Sequence, residues 1–205
     1  MPVLAENKAK LMLKPGAVGV YSGSPQLAPL GTSDGRGLGI VFPYQPDITY
    51  QQSVGYSPYD LVHTNYTFNT YRNTPSPSIQ MNAQFASVTE EEGAYTLGVI
   101  HFLRSITKMF SGLNQVNPAP GTPPPVLEFS AFGTQQFNRI PVVVSAFSVN
   151  FDSNVDLKLF NGGQQIPVIQ NIFIDMLVQQ NPDKQKIRFT TSNFISGQAY
   201  KDGFV

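Results

Sequence analysis

The residues most often used for catalysis and metal binding are scarce in this chain. It contains two histidines, His63 and His101, and no cysteine, so it has no thiolate nucleophile and no disulfide. His101 lies in a stretch with helical spacing, where its i+4 neighbour is Ser105 and not a second ligand. These observations argue against a local histidine-based metal site or triad. We expect no catalytic residues, no metal and no cofactor.

Other short patterns that could support chemistry have simpler structural explanations. The segment GRGLG at 35–39 follows a Pro/Gly-rich region and precedes a strand, whereas a dinucleotide-binding loop follows a strand and opens a helix. The acidic run at 89–92 has the spacing of a capping box at the start of a helix. Asp152 and Asp156 fit the junction of a strand and a turn. None of these patterns predicts a ligand site.

The composition favours a protein that contacts other subunits. Thirteen basic and thirteen acidic residues among 205 give a net charge of zero, so no field of the whole chain attracts nucleic acid or an anionic membrane. The charged fraction of 13% is about half the usual value. Asn, Gln, Ser and Thr replace the missing charge, as suits subunits that bury much of their surface against neighbours. No apolar run reaches the length of a membrane span, and we expect the protein to work without crossing a membrane.

The elements that would position any site begin after a region rich in turn signals. Residues 1–37 are rich in Gly and Pro and predict an extended N-terminal arm outside the core. Residues 38–205 predict one β domain, interrupted at 114–125 by the extended connector NQVNPAPGTPPP, because proline lacks the amide proton that helices and interior strands need.

One strand and one helix have the clearest periodicity. In SIQMNAQFA at 78–86, apolar and amide residues alternate, which predicts a half-buried strand. The following stretch predicts a capped helix over about 89–110 that ends by Gly112. The spacing of three and four residues predicts that one face of this helix packs on the core. That face comprises Tyr95, Val99, Phe102, Ile106 and Met109.

Strand patterns occur on both sides of the helix. Before it they cover 38–43, 47–54 and 66–71, and after the proline run they continue through VLEFSAFG and at 139–151, 166–179 and 185–194. Strands linked by turns, without repeated helical crossovers, indicate antiparallel pairing. The predicted fold is therefore mainly β (β+α), an antiparallel β sandwich or barrel with one long packed helix.

From about Gly37 to Val205 the sequence resembles the tail-tube junction, or tube adapter, proteins at the baseplate of T4-like contractile-tailed bacteriophages. The resemblance is carried by GLGIVFPYQPDITY, by YTFNTYRNTPSPSIQMNAQFASVTEEEGAYTLGVIHFLRSITKMFSG, by PPVLEFSAFG after the proline run, by IPVVVSAFSVNF and by the ending IRFTTSNFISGQAYKDGF. No segment is a short diagnostic motif, and the order of the segments over some four-fifths of the chain carries the match.

The resemblance implies a structural virion protein of the phage tail-tube fold and not an enzyme. Its expected partners are five further copies in a hexameric ring, the adjacent tail-tube or tube-initiator ring, the central baseplate hub protein and sheath or wedge proteins. Such a ring joins the hub to the tube and nucleates tube assembly. It is assembled in the host cytoplasm, and genomic DNA passes through it without specific binding.

A channel for DNA predicts a neutral or acidic wall, because a basic lining would bind the phosphates and oppose passage. The amide face of the alternating strand is the first candidate, since its opposite face must look toward the helix. A second polar set lies in the later strand at 139–151, where Ser145 differs in parity and could join only across a bulge. The candidate lumen-facing residues are Gln80, Asn82, Gln84, Ser145, Ser148 and Asn150.

Two alternatives remain open. Within the tail, the major tube protein and the tube initiator share the implied fold. Outside it, the alternative is a β-rich ligand-binding or hydrolytic domain.

Overall fold

The computed structural model describes residues 7–21, 23–31, 37–111, 119–151, 153–160 and 163–205. All paired strands are antiparallel. The strands are β1 (Lys10–Leu13), β2 (Gly39–Val41), β3 (Asp47–Gln51), β4 (Gly55–Tyr59), β5 (Phe68–Asn73), β6 (Ser78–Ala86), β7 (Leu127–Ala131), β8 (Phe137–Asn150), β9 (Leu157–Phe160), β10 (Gln164–Pro167) and β11 (Ile169–Val178). The helices are α1 (Val18–Tyr21), α2 (Glu90–Ile106), α3 (Pro182–Arg188), α4 (Thr191–Ile195) and α5 (Gln198–Lys201).

Seven strands form one sheet in the order β2-β1-β7-β8-β11-β6-β3, and two hairpins, β4–β5 and β9–β10, pair separately. The fold is thus mainly β with antiparallel pairing, as the sequence predicts. The barrel is not closed, because among the described residues no pairing joins the end strands β2 and β3.

The sheet is nevertheless strongly coiled. Five residues connect Val41 at the end of β2 to Asp47 at the start of β3, and the six Cα–Cα steps span at most about 21 Å. The outer strands of a flat seven-stranded sheet would lie about 29 Å apart. The rings of Tyr50 in β3 and Phe137 in β8 are 6.3 Å apart, although two strands, β11 and β6, lie between β3 and β8 in the sheet. Coiling therefore gives the sheet one concave face, and this face encloses the core.

Helix α2 lies against this core and is the one long helix among the described residues. Its capping box is present, since Thr89 Oγ1 accepts from the Glu92 amide and Glu92 accepts from the Thr89 amide. Val99, Phe102 and Ile106 are buried, as predicted. Tyr95 is half-buried and packs against the same core.

The prediction for Met109 is wrong, because α2 ends at Ile106 with Thr107 as its C-cap, before the expected stop at Gly112. Met109 therefore lies beyond the helix, and its side chain is 56% exposed. The buried face is completed instead by Ile100 and Leu103, which widen the apolar stripe.

The prediction that residues 1–37 lie outside the core is wrong for the described part of that segment. Strand β1 lies inside the large sheet, between β2 and β7. Leu11 and Leu13 are buried, and so are Leu27 and Leu30. The four alternating residues of β1 are too few to stand out from the surrounding Gly/Pro signals, and their stability comes from pairing with distant strands.

The proline-rich connector 114–125 is described from residue 119 onward, and its earlier part lies outside the described residues. The described part of the connector is hydrogen-bonded to Phe110, which follows α2 in the chain. The Phe110 amide donates to Thr122 O at 3.0 Å, and the Gly121 amide donates to Phe110 O at 2.7 Å.

The predicted strand at 185–194 is also wrong, since this segment forms the end of α3 and most of α4. Asn181 caps α3 through its side chain and Pro182 occupies the first turn. Thr190 caps α4, where its hydroxyl accepts from the Asn193 amide. Capping thus outweighs the alternation of apolar residues in this segment.

Candidate functional site

The outer face of β3, β6, β11 and the end of β8 carries most of the residues predicted from the sequence. The alternation of β6 is confirmed, since Ile79, Met81, Ala83 and Phe85 are buried. Gln80 and Gln84 are exposed and Asn82 is half-buried on the opposite face. We call this opposite face the outer sheet face. It also includes the outward residues of the neighbouring strands, namely Asp47, Thr49 and Gln51 in β3, Ala146, Ser148 and Asn150 in β8, and Ile169, Asn171, Phe173, Asp175 and Leu177 in β11.

The strand register brings the two predicted polar sets together. Asn82 pairs with Phe173, and Phe173 pairs in turn with Ser148 on β8. Gln84 and Asn150 both pair with Asn171. Residues separated by more than sixty positions in the sequence therefore form one polar surface.

Ser145 is separated from this set by an irregularity in the sheet. The register between β8 and β11 shifts between Asp175 and Met176, which pair with Ala146 and Val144 respectively. Ser145 is the extra residue, and its hydroxyl donates to Asp175 O at 3.1 Å. The bulge that its parity requires is therefore present, and it places Ser145 at the margin of the outer sheet face.

The charge on the outer sheet face is acidic. Asp47 pairs with Asn82, and Asp175 pairs with Gln80. None of the outward residues named for β3, β6, β8 and β11 is Lys or Arg. The surface could therefore lie beside a polyanion with little attraction. The sequence identified its amide residues but not these two aspartates.

Sequence reasoning placed too little weight on the apolar residues of this face. Ile169, Phe173 and Leu177 follow one another at every fourth position along β11, and all three are exposed. The signal was the apolar character of both faces of β11, which is typical of a strand covered on both sides. This row favours contact between part of the outer sheet face and another molecule.

The two end strands of the sheet differ in whether the backbone N–H and C=O groups at their outer edge have hydrogen-bond partners. On β2, the Tyr95 hydroxyl accepts from the Val41 amide and donates to Val41 O, both at 2.8 Å. Burial raises the pKa of Tyr95, so the hydroxyl stays protonated and able to donate. On β3, no described strand pairs with the side away from β6. The edge of β3 is therefore open to pairing.

The described residues contain no group of three or more His, Cys, Asp or Glu that could hold a metal ion. His63 lies in the loop after β4 with a positive φ of 64°, and His101 lies on the exposed side of α2. Within the described ranges, no helix is long and apolar enough to cross a membrane.

No family model matches the chain, and a search of curated proteins finds no similar sequence.

Proposed function

We propose that this protein is a structural subunit of a hexameric ring in a contractile phage tail, at the junction between the baseplate hub and the tube. The proposal starts from the resemblance over residues 37–205 and needs surfaces through which copies can join. The observation that carries it is the open edge of β3, which borders the outer sheet face, where none of the residues named for β3, β6, β8 and β11 is Lys or Arg.

An open edge strand in a monomeric protein is usually protected by charge, proline or a bulge, because unpaired amide and carbonyl groups invite pairing with another chain. β3 has the sequence DITYQ, with one charge at its first residue and no proline. Pairing with a neighbouring copy would satisfy these groups, and a head-to-tail contact that closes on itself gives a ring. The coiled sheet would then form part of a larger circular wall.

The outer sheet face would form the channel wall in this arrangement, with Gln80, Asn82, Gln84, Ser148 and Asn150 toward the lumen. Its acidic residues favour passage of DNA over binding. The exposed apolar row on β11 lies between these two polar sets and would face the lumen with them.

The proposal is tested by analytical ultracentrifugation and negative-stain microscopy of the purified protein at high concentration. We expect six-fold rings with a central channel. Thr49→Lys places a charge in the edge strand β3, on the outer sheet face. It should weaken ring formation, because lysine on an edge strand opposes pairing. Thr134→Lys adds the same charge in the exposed turn after β7 and is the matched control. A protein that stays monomeric at all concentrations would overturn the proposal.

A further inference from the structure

The β4–β5 hairpin projects from the domain with little support of its own. Its strands pair only with each other among the described residues, from Gly55 opposite Asn73 to Tyr59 opposite Phe68. Every described residue of β5 is exposed. An isolated two-stranded hairpin is marginally stable in water, so a hairpin of this kind normally packs against something else.

The tip of this hairpin is apolar and almost uncharged. Val62 is 83% exposed and Tyr66 is 84% exposed, and Tyr59, Leu61 and Phe68 are also exposed around them. Between residues 54 and 71 the only titratable side chains besides tyrosines are Asp60 and His63. Large exposed apolar patches of this kind mark interaction surfaces. We call residues 59–68 the hairpin tip.

A groove of about 760 Å³ lies at the other end of the hairpin, where β5 leads into β6 and the C-terminal helices cover the sheet. We call it the C-terminal groove. Aromatic rings form one wall, with Phe189 5.3 Å from Phe194 and 5.6 Å from Phe204 between ring centres. Glutamine amides form much of the rest, and no charged side chain lines the groove. The lining residues are Gln52, Tyr71, Thr74, Pro75, Ser76, Pro77, Val178, Gln179, Gln180, Gln185, Phe189, Thr191, Phe194, Phe204 and Val205.

The hairpin tip and the C-terminal groove are both rich in apolar side chains and poor in charge, but they lie at different places in one molecule. Gln52 and Tyr71, near the base of the hairpin, line the groove. The five residues of β4 carry the tip about 17 Å from that base. The tip of one chain therefore lies well away from the hairpin base that lines its own groove. A second copy offers an uncharged groove that the apolar and aromatic side chains of the tip can enter.

We infer that the hairpin tip of one copy docks in the C-terminal groove of a second copy. The contact is head-to-tail, because it joins two different surfaces of the same chain. The inference rests on the proposed function only in that the partner is another copy, and it names the surfaces through which copies meet. Val62 and Tyr66 enter between the aromatic wall and the glutamine amides.

The lack of cysteine allows a direct test with single cysteines. Protein carrying Val62→Cys is mixed with protein carrying Thr191→Cys, and the mixture is treated with a short bismaleimide. We expect covalent dimers that contain one chain of each kind. His101→Cys replaces Thr191→Cys in the control, because His101 is exposed on α2 away from the groove, and this pair should not cross-link.

A second variant tests whether the contact contributes to association. Val62→Asp places a carboxylate against a groove whose lining residues include no Lys, Arg or His. We expect the dissociation constant between copies to rise by about tenfold or more, because the variant loses apolar burial and desolvates a charge. Thermal unfolding of the subunit should be unchanged, since Val62 is exposed within one chain.

The outcomes separate this inference from the ring proposal. Rings without cross-linking between Val62→Cys and Thr191→Cys would overturn the docking and leave the ring standing. Cross-linked chains without rings would support the docking and overturn the ring. Equal cross-linking with the His101→Cys control, or unchanged association of Val62→Asp, would also overturn the docking.

Discussion

Phe102 shows how much a single residue of α2 contributes to the core. Its side chain is fully buried, and its ring is 6.4 Å from that of Tyr21, centre to centre. Phe102→Ala should lower the free energy of unfolding by about 3–5 kcal/mol, because it removes buried surface and leaves a cavity. Met109→Ala is the control, and its effect should stay within about 0.5 kcal/mol because Met109 is largely exposed. Urea unfolding of both variants measures the difference. Similar destabilisation by Phe102→Ala and Met109→Ala would contradict the assignment of Phe102 to the buried face of α2.

Glu92 makes the start of α2 sensitive to pH. Hydrogen bonds from the backbone amides of Thr89 and Val88 hold the pKa of the Glu92 carboxyl below its ordinary value. A carboxyl with a lowered folded pKa adds stability above its ordinary pKa, and this stability is lost as the pH falls through the folded value. Glu92→Gln should therefore destabilise the protein at neutral pH, and the difference from wild type should shrink as the solution is acidified. Thermal unfolding between neutral and acidic pH measures this. Glu91→Gln removes a charge from the same turn and serves as the control. A difference in stability between Glu92→Gln and wild type that stays constant across the pH range would contradict the lowered pKa of Glu92 as its cause.

At the scale of elements, the link between α2 and β2 depends on one hydroxyl. Tyr95→Phe removes both hydrogen bonds to the Val41 backbone and leaves those groups without their partner. We expect a loss of about 1–3 kcal/mol in the free energy of unfolding. Hydrogen exchange of the Val41 amide should also become faster, because the edge of β2 is no longer covered. Tyr66→Phe removes an exposed tyrosine hydroxyl and should leave both quantities unchanged. Unchanged exchange at Val41 in Tyr95→Phe would show that the hydroxyl does not protect this edge.

The elements that the sequence predicts well are those whose signal is local. The alternation around Met81 and the capping box at Thr89 each depend on a few neighbouring residues, and both are present. Strand β1 is held by pairing with segments 27 or more positions away, which four residues cannot reveal. The C-terminal helices were missed for another reason. Asn181 and Pro182 form a normal helix start, but they were interpreted as a turn between strands.

The same limit applies to the candidate site. Alternation indicates that Gln80, Asn82 and Gln84 share a face, and parity indicates that Ser148 and Asn150 share one. That both sets lie on the same face depends on the register with β11, for which the sequence contains no separate signal. The acidic residues of the face were missed for the same reason, since Asp47 and Asp175 lie on other strands.

At the scale of the whole molecule, a net charge of zero conceals an uneven distribution. The outer sheet face carries Asp47 and Asp175 and no basic residue, whereas four of the thirteen basic residues lie within the C-terminal helices. These are Lys184, Lys186, Arg188 and Lys201. A ring built from this subunit with the outer sheet face inward would have a weakly acidic channel.

Gln84 is the best position at which to test that channel. It is exposed and pairs with Asn171, so an added charge there has no carboxylate directly opposite, unlike Asn82 beside Asp47 or Gln80 beside Asp175. In assembled particles, Gln84→Lys would place a circle of positive charges around the channel. We expect normal assembly and slower DNA delivery, because each lysine that contacts a phosphate adds salt-dependent attraction. Time-resolved DNA release at several salt concentrations measures this, and the delay should shrink as salt rises.

Thr134→Lys adds the same charge away from the outer sheet face and should leave delivery unchanged, while Gln84→Glu separates the sign of the charge from the change in size. Equal delivery by Gln84→Lys and wild type would remove Gln80, Asn82 and Gln84 from the channel wall. Such a result would leave the ring itself standing, because ring formation is tested separately by Thr49→Lys at the β3 edge. Slowing by Gln84→Lys alone would assign the outer sheet face to the lumen, since a charge on an outer wall cannot reach DNA inside the channel.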